Sequence, residues 1–539
     1  MFIQNTRFTF PLTNFELMFD FNPQNQLIAL AFLIVTAILN LYTISQNRKF
    51  ETLIGSLYCL SSIICVFAAD FISMIISLEF MTIFACIIIF CDQLKIKPAR
   101  QYFLTHLFSS GLILIGMTLL IQATGNTAFI SLTESVYKFE LPAIFILAGC
   151  LINLGTIFVN GWVVNCYPAA SGSGIVYLIS FTTKVTLIII LKLFSGLDIL
   201  KFFGISMIIY GLVFALIEKN LKRLICYLTV SQLGFILAAI SINSPNIAYL
   251  ITSFIFIHIL YNGLFALYFT YIEDEYSIKN YQDLQNTQIN LILLGGFVVS
   301  ILIYTSILPI NSSYIKDGIA NLLDANNIII FSKIATCTVL FGLLMESFVS
   351  FSRSSMSFPR KRESSNLYVI PRLDRGIQSF FYFFLDTVVK PQYDNNSFLL
   401  DSRFRGNDMR TITYLSSCII TLCVCLFYPI QISHTANFKL VILAISVLLA
   451  LIFRKIPRIS TENINLDLYQ YIEKFIYFSI DKYKERTDST EDTEEYLNFK
   501  VIWDNILGKI SAWHNQQTAI FIILFLLISL ILTLCHTVA

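Results

Sequence analysis

The sequence predicts an all-α membrane protein of about 14 transmembrane helices, each roughly 20 mostly apolar residues long. Composition is the first observation: 56% of the residues are hydrophobic, only 13% are charged, and the mean hydropathy is +0.73. A soluble domain carries roughly 25% charged residues, so much of this surface faces something other than water. The second observation is that apolar runs of spanning length recur along the chain. The third is that Lys and Arg gather in short clusters on alternate loops between those runs.

In order, the runs lie near residues 26–44, 52–69, 71–91, 103–123, 142–160, 174–194, 203–218, 224–242, 248–272, 289–309, 328–351, 412–430, 438–453 and 518–535. Arg48 and Lys49 follow the first. Lys95, Lys97 and Arg100 follow the third, Lys219, Lys222 and Arg223 the seventh, and Arg454, Lys455 and Arg458 the thirteenth. All are odd-numbered loops and share one side, which the positive-inside rule makes the cytoplasm. The expected setting is a bacterial inner (plasma) membrane with both termini periplasmic.

This divides the chain into an N-terminal segment with its first span (1–50), a transmembrane core (51–351), a polar insertion (352–410), two helices (411–454), a cytoplasmic amphipathic and acidic segment (455–516) and a last span (517–539). In the insertion, Ile370–Ile377 and Leu400–Asp408 read as translated copies of a near-palindromic DNA element inserted in frame. A basic docking loop is the alternative. A long polar loop adds little closure entropy on the aqueous side.

Several function classes fall away. A net charge of +2 provides no global field for nucleic acid. The twelve Cys are scattered through apolar runs without metal or disulfide spacing, as small packing residues are. No cofactor-binding pattern is present. The first apolar run begins near Gln26, after a segment holding Arg7, Glu16 and Asp20, so no cleavable signal peptide is expected.

An ionisable side chain at membrane depth is expensive unless paired or hydrated, so each one asks for a function. Glu79 lies in the third run, Lys184 in the sixth and His258 in the ninth; Lys316 and Asp317 follow the tenth. Glu346 near the end of the eleventh and Asp70 between the second and third belong to the interface. A carboxylate near a lysine in a low dielectric stabilises the ammonium, and separating them releases a proton. Such a set is either a proton relay or a structural ion pair. Two stretches, 160–174 and 308–318, carry the Gly, Pro and small polar residues of broken helices lining a cavity.

Asn220–Phe235, reading N-L-K-R-L-I-C-Y-L-T-V-S-Q-L-G-F, resembles the signature D-L-K-R-L-L-A-Y-S-S-I-S-H-L-G-Y of the proton-translocating antiporter-like family. This family comprises membrane subunits of Mrp Na+/H+ antiporters and of proton-pumping NADH:quinone oxidoreductase. Leu78–Met81 is similar to its L-E-L-M, Thr183–Val185 to its T-K-V, and His258 with Leu264 and Phe265 to its H-x-x-x-K-x-x-L-F. The resemblance covers roughly residues 50–350. It implies two inverted five-helix repeats, each with a broken helix, and a midplane relay here comprising Glu79, Lys184, His258 and a charge at Lys316 or Asp317, with Glu79 and Lys184 as the switching pair. It implies no cofactor in this subunit. The implied partners are the lipid bilayer, other membrane subunits of such a complex, protons and, in an exchanger, Na+.

The departures are specific. The family lysine before the first break falls on Asn153, the lysine after His258 on Asn262, and the signature histidine on Gln232. An amide cannot carry a proton at physiological pH. The sequence therefore admits two readings: an ion-translocating subunit, or a diverged, non-translocating subunit that supports assembly of such a complex.

Overall fold

The computed structural model describes residues 5–9, 16–91, 96–244, 246–286, 291–306, 311–323, 326–355, 443, 445–451, 458 and 460–461. The chain opens with a small antiparallel hairpin, β1 (Asn5–Thr9) on β2 (Glu16–Asp20). Helices follow: α1 (Pro23–Ser45), α2 (Lys49–Phe67), α3 (Phe71–Cys91), α4 (Ile96–Thr124), a short α5 (Thr133–Tyr137), α6 (Leu141–Leu154), α7 (Gly172–Ser180), α8 (Thr182–Phe194), α9 (Ile199–Ile217), α10 (Leu221–Ile240), α11 (Ile247–Tyr276), α12 (Leu291–Thr305), α13 (Asn311–Leu322) and α14 (Asn326–Ser355). Among the described residues nine spans are long and apolar enough to cross a membrane, and two shorter apolar helices, Leu141–Leu154 and Leu293–Thr305, accompany them.

All eleven runs up to residue 351 fall on these helices. The runs at 412–430 and 518–535, most of 438–453, the insertion beyond Ser355 and nearly all of 455–539 lie outside the described residues. The described helical stretch at 445–451 rests on α14, where the Ser446 hydroxyl donates to the Ile334 carbonyl at 3.4 Å.

Loop contacts sort the ends of the helices into two faces. On one, Arg48 pairs with Asp274 at 3.1 Å, Lys222 pairs with Glu273 at 2.6 Å, and the 218–221 turn bridges to residues 279–281. Arg458 joins the same face, donating to the Glu218 carbonyl at 3.1 Å. On the other, the β2 strand bridges to Ala68, Asp70 to Ala128, Leu132 to Leu193, and Gly196 to Ile240. Arg48, Lys222 and Arg458, from three of the basic loops, therefore share a face opposite the N-terminal hairpin. Asp70 belongs to this second face as a helix cap. Its carboxylate accepts from the Ser73 amide at 2.8 Å, the Ser73 hydroxyl at 2.6 Å and the Met18 amide at 2.7 Å.

Two successive sets of five crossings make up the body: α2, α3, α4, α6 and α7/α8, then α9, α10, α11, α12/α13 and α14. In both, first packs on second, second on third, third on fourth and fourth on fifth. In both, the fourth crossing is broken. Five is odd, so the second set starts on the face where the first ended, and the repeats are inverted. The first break opens earlier than residue 160: α6 stops at Leu154 because Gly155 adopts φ +75°, a left-handed cap. A π-helical turn over Trp162–Cys166 and a 3-10 turn over Tyr167–Ala169 then lead to α7. Close helix approach rests on small residues. A Cβ on Gly204 of α9 would lie 2.5 Å from the Gly234 carbonyl of α10, nearer than any side chain allows.

Candidate functional site

The first repeat places Lys184, fully buried, just past a fault in its own span. The run at 174–194 is not one continuous helix: it is interrupted at Phe181, whose carbonyl receives the amides of both Lys184 and Val185 at 3.0 Å. The Ile179 carbonyl instead accepts the Lys184 ammonium, which also reaches the Thr183 hydroxyl at 3.3 Å. The sequence cause is a run of hydroxyl residues, whose side chains bond back to carbonyls and loosen the ladder. Ser180 bonds to Val176 at 2.6 Å and Thr186 to Thr182 at 2.9 Å.

Glu79 is half-buried on α3 and faces Ser110 of α4. It forms no ion pair with Lys184, so the switching pair expected from sequence is not in direct contact. The reason is directional. The carboxylate turns towards α4, while the ammonium folds back onto the carbonyl that the Phe181 fault releases.

Between them lies a group that the sequence reading passed over. The Thr182 hydroxyl, next to Thr183, is hydrogen-bonded to the Tyr58 hydroxyl and lies 3.3 Å from the Tyr102 hydroxyl. Tyr102 stacks on His106 with ring centroids 4.1 Å apart, and Trp162 of the break closes the other side at 4.5 Å. His106 is buried with the Asn153 side chain as its polar neighbour, and no other group satisfies His106 Nε2 or Asn153 Oδ1. A histidine inside the apolar run 103–123 was the available signal.

In the second repeat His258 of α11 is fully buried, and neither ring nitrogen has a hydrogen-bond partner. Lys184 and Lys316 both act on it electrostatically, so the imidazole lies within reach of two ammonium groups. Lys316 of α13 is also buried. It donates to Gln232 Oε1 at 3.1 Å and lies 5.7 Å from the Phe235 ring centre and 5.9 Å from that of Phe254. Gln232 is thus a direct partner of the lysine. Asn262 donates to the Thr229 hydroxyl at 3.1 Å. Asp317 does not share this site: it pairs with Lys333 of α14 at 2.5 Å. Sequence reasoning treated residues 316 and 317 as interchangeable and missed Lys333. One residue of helix turns the side chain by about 100°, which sends the two to different neighbours.

Other buried charges serve the ends of the fold. Lys192 donates to the Val66 and Ala68 carbonyls at 2.7 and 2.9 Å. Glu346 is buried and acts with Arg458 of the loop face, whose guanidinium stacks 3.6 Å from the Tyr281 ring centre.

Residues 68–342 match the family described as NADH:quinone oxidoreductase/Mrp antiporter, TM. The chain belongs to this family. Family relatives include an NADH-quinone oxidoreductase subunit N 1 of Thermodesulfovibrio yellowstonii, 26% identical over 274 residues, covering 47% of this chain and 58% of the relative. A subunit N of Flavobacterium psychrophilum is 24% identical over 292 residues, 50% of this chain and 63% of its own length. The chain thus spans about three fifths of these relatives. A chain of the Mrp complex from Dietzia sp. has the same fold, with a TM-score of 0.56 at 15% identity, covering 84% of this chain and 88% of that one. Against the family pattern, the amides at Gln232 and Asn262 are not voids. Gln232 accepts from Lys316, and Asn262 donates to the Thr229 hydroxyl.

Proposed function

We propose that this chain is a membrane subunit of an Mrp-type cation/proton antiporter or of a related proton-pumping NADH:quinone oxidoreductase. It moves protons through Lys184, His258 and Lys316, with Glu79 at one end. One observation supports this reading: a fully buried imidazole lies within electrostatic reach of two buried lysines, and none of the three is in an ion pair. Like charges repel strongly in a low dielectric, so the three cannot all be protonated at once. A proton arriving at one displaces a proton from the next, and the set conducts instead of storing charge. A structural ion pair would show carboxylates against these lysines.

The sequence relatives support the quinone-oxidoreductase setting, and the fold likeness to an Mrp complex supports the antiporter. The partners are the lipid bilayer and neighbouring membrane subunits, and Na+ is the exchanged ion in the antiporter. The setting is a bacterial inner membrane with the N-terminal hairpin on the periplasmic face and the Arg48, Lys222 and Arg458 face cytoplasmic.

The test uses inverted membrane vesicles holding the whole complex, with a pH-sensitive dye and either NADH or a Na+ pulse. Wild type acidifies on NADH or dissipates the gradient on Na+, and the effective trigger identifies the complex. Glu79→Gln, assembled to the wild-type level on a native gel, abolishes the signal. An unchanged signal removes the relay reading.

A further inference from the structure

We propose that His106 is the proton-carrying link between Glu79 and Lys184; this rests on the relay reading above. The structure leaves those two apart and places a series of polar side chains, His106 among them, on the helices that carry and flank them. Glu79 faces Ser110 of α4, and His106 lies one helical turn from Ser110 on the same helix. The ring packs on Tyr102, whose hydroxyl reaches Thr182, and Thr183 beside it touches the Lys184 ammonium.

The sequence narrows the choice further. Between Arg100 and Lys184 the only side chains that can take up a proton to become cationic are His106 and Lys138. Lys138 is on a loop, largely exposed beside Glu134 at 4.0 Å. On the elements packed against α4, the other titratable groups are Glu79, Cys86 and Cys91 on α3, Cys150 on α6 and Cys166 in the break. None of these can become a cation, so His106 faces no competing positive charge from its neighbours.

An independent observation is the internal repeat. His106 is on the third crossing of the first repeat, His258 on the third crossing of the second, each about three turns into its helix. The inverted repeats therefore present one buried imidazole each. His106 Nε2 is buried with only the Asn153 side chain beside it as a polar neighbour, a weaker hold than a packing histidine usually has. In the step, a proton from the Glu79 carboxyl passes through the Ser110 hydroxyl onto the ring and forms the imidazolium. Loss of the other ring proton towards the Tyr102 and Thr182 hydroxyls restores the neutral ring and charges Lys184.

The experiment measures proton flux in vesicles holding the whole complex for His106→Gln, Glu79→Gln and the double variant His106→Gln/Asn153→His, with assembly read on a native gel and flux recorded across pH. His106→Gln lowers flux roughly tenfold or more without loss of assembly. Moving the imidazole across to position 153 restores flux with a displaced pH profile. Full flux in His106→Gln while Glu79→Gln is silent overturns the role of His106 and leaves the relay standing. Full flux in both removes the relay and this inference with it. A loss that the assembled double variant does not recover marks His106 as a packing residue. If His106→Gln does not assemble, the double variant decides: flux supports the link, and an assembled but silent complex overturns it.

Discussion

The two repeats share an order of crossings but not a chemistry. In the first, the second crossing holds a carboxylate, Glu79; in the second, the same crossing holds an amide, Gln232. The third crossings carry His106 and His258, and the fifth carry Lys184 and Lys333. The first repeat keeps its carboxylate away from its lysine and fills the gap with hydroxyls. The second uses its carboxylate, Asp317, to hold Lys333, and leaves Lys316 on an amide. Both arrangements leave one buried lysine without a counter-ion. A buried ammonium held only by neutral acceptors is poorly stabilised as a cation, and a group that must give up its proton needs that property.

The largest expected effect tests whether the repeats form one path. Lys184→Met is expected to lower proton flux by roughly 100-fold with the complex intact, since it removes the buried lysine of the first repeat that acts on His258 of the second. Vesicle acidification measures it, and a loss of less than twofold would show that the second repeat conducts alone. Lys316→Met comes next, at roughly tenfold, because Lys333 remains as a second acceptor nearby. Asp317→Asn sharpens the contrast: it strands the Lys333 ammonium, so its main effect is on thermal stability, a loss of about 3 kcal/mol. Unfolding of purified complex followed by intrinsic fluorescence checks this, and Asp317→Asn/Lys333→Met is expected to recover most of the loss. Gln232→Ala is the smallest. It leaves Lys316 without its one hydrogen-bonded acceptor and lowers flux less than Lys316→Met does. Equal losses would mean that the amide, not the lysine, is the working group.

Much of this was legible before any coordinate. Each of the first eleven apolar runs falls on helix, the fifth ending early at Leu154 and the sixth in two pieces, because bilayer thickness asks for a long apolar run at every crossing. Three of the basic loops meet on one face for the same reason. Glu79, Lys184 and His258 stood out as charges in apolar runs. Other features were not legible. The fault at Phe181 arises from side-chain bonds of Ser180, Thr182 and Thr186, which a hydropathy window reads as mildly polar helix. Lys333 was overlooked inside a long apolar run, and His106 resembled ordinary aromatic filling.

By itself the sequence determined the order of the first eleven apolar runs and the family, because these follow from run length and local motifs. Only the tertiary structure decided who partners whom. It turned Glu79 to Ser110, gave Asp317 to Lys333 and Lys316 to Gln232, and brought His258 within electrostatic reach of two lysines. The physical reason is rotational: position along a helix is written in the chain, but which neighbour a side chain meets depends on how each helix is turned and how closely the next one packs.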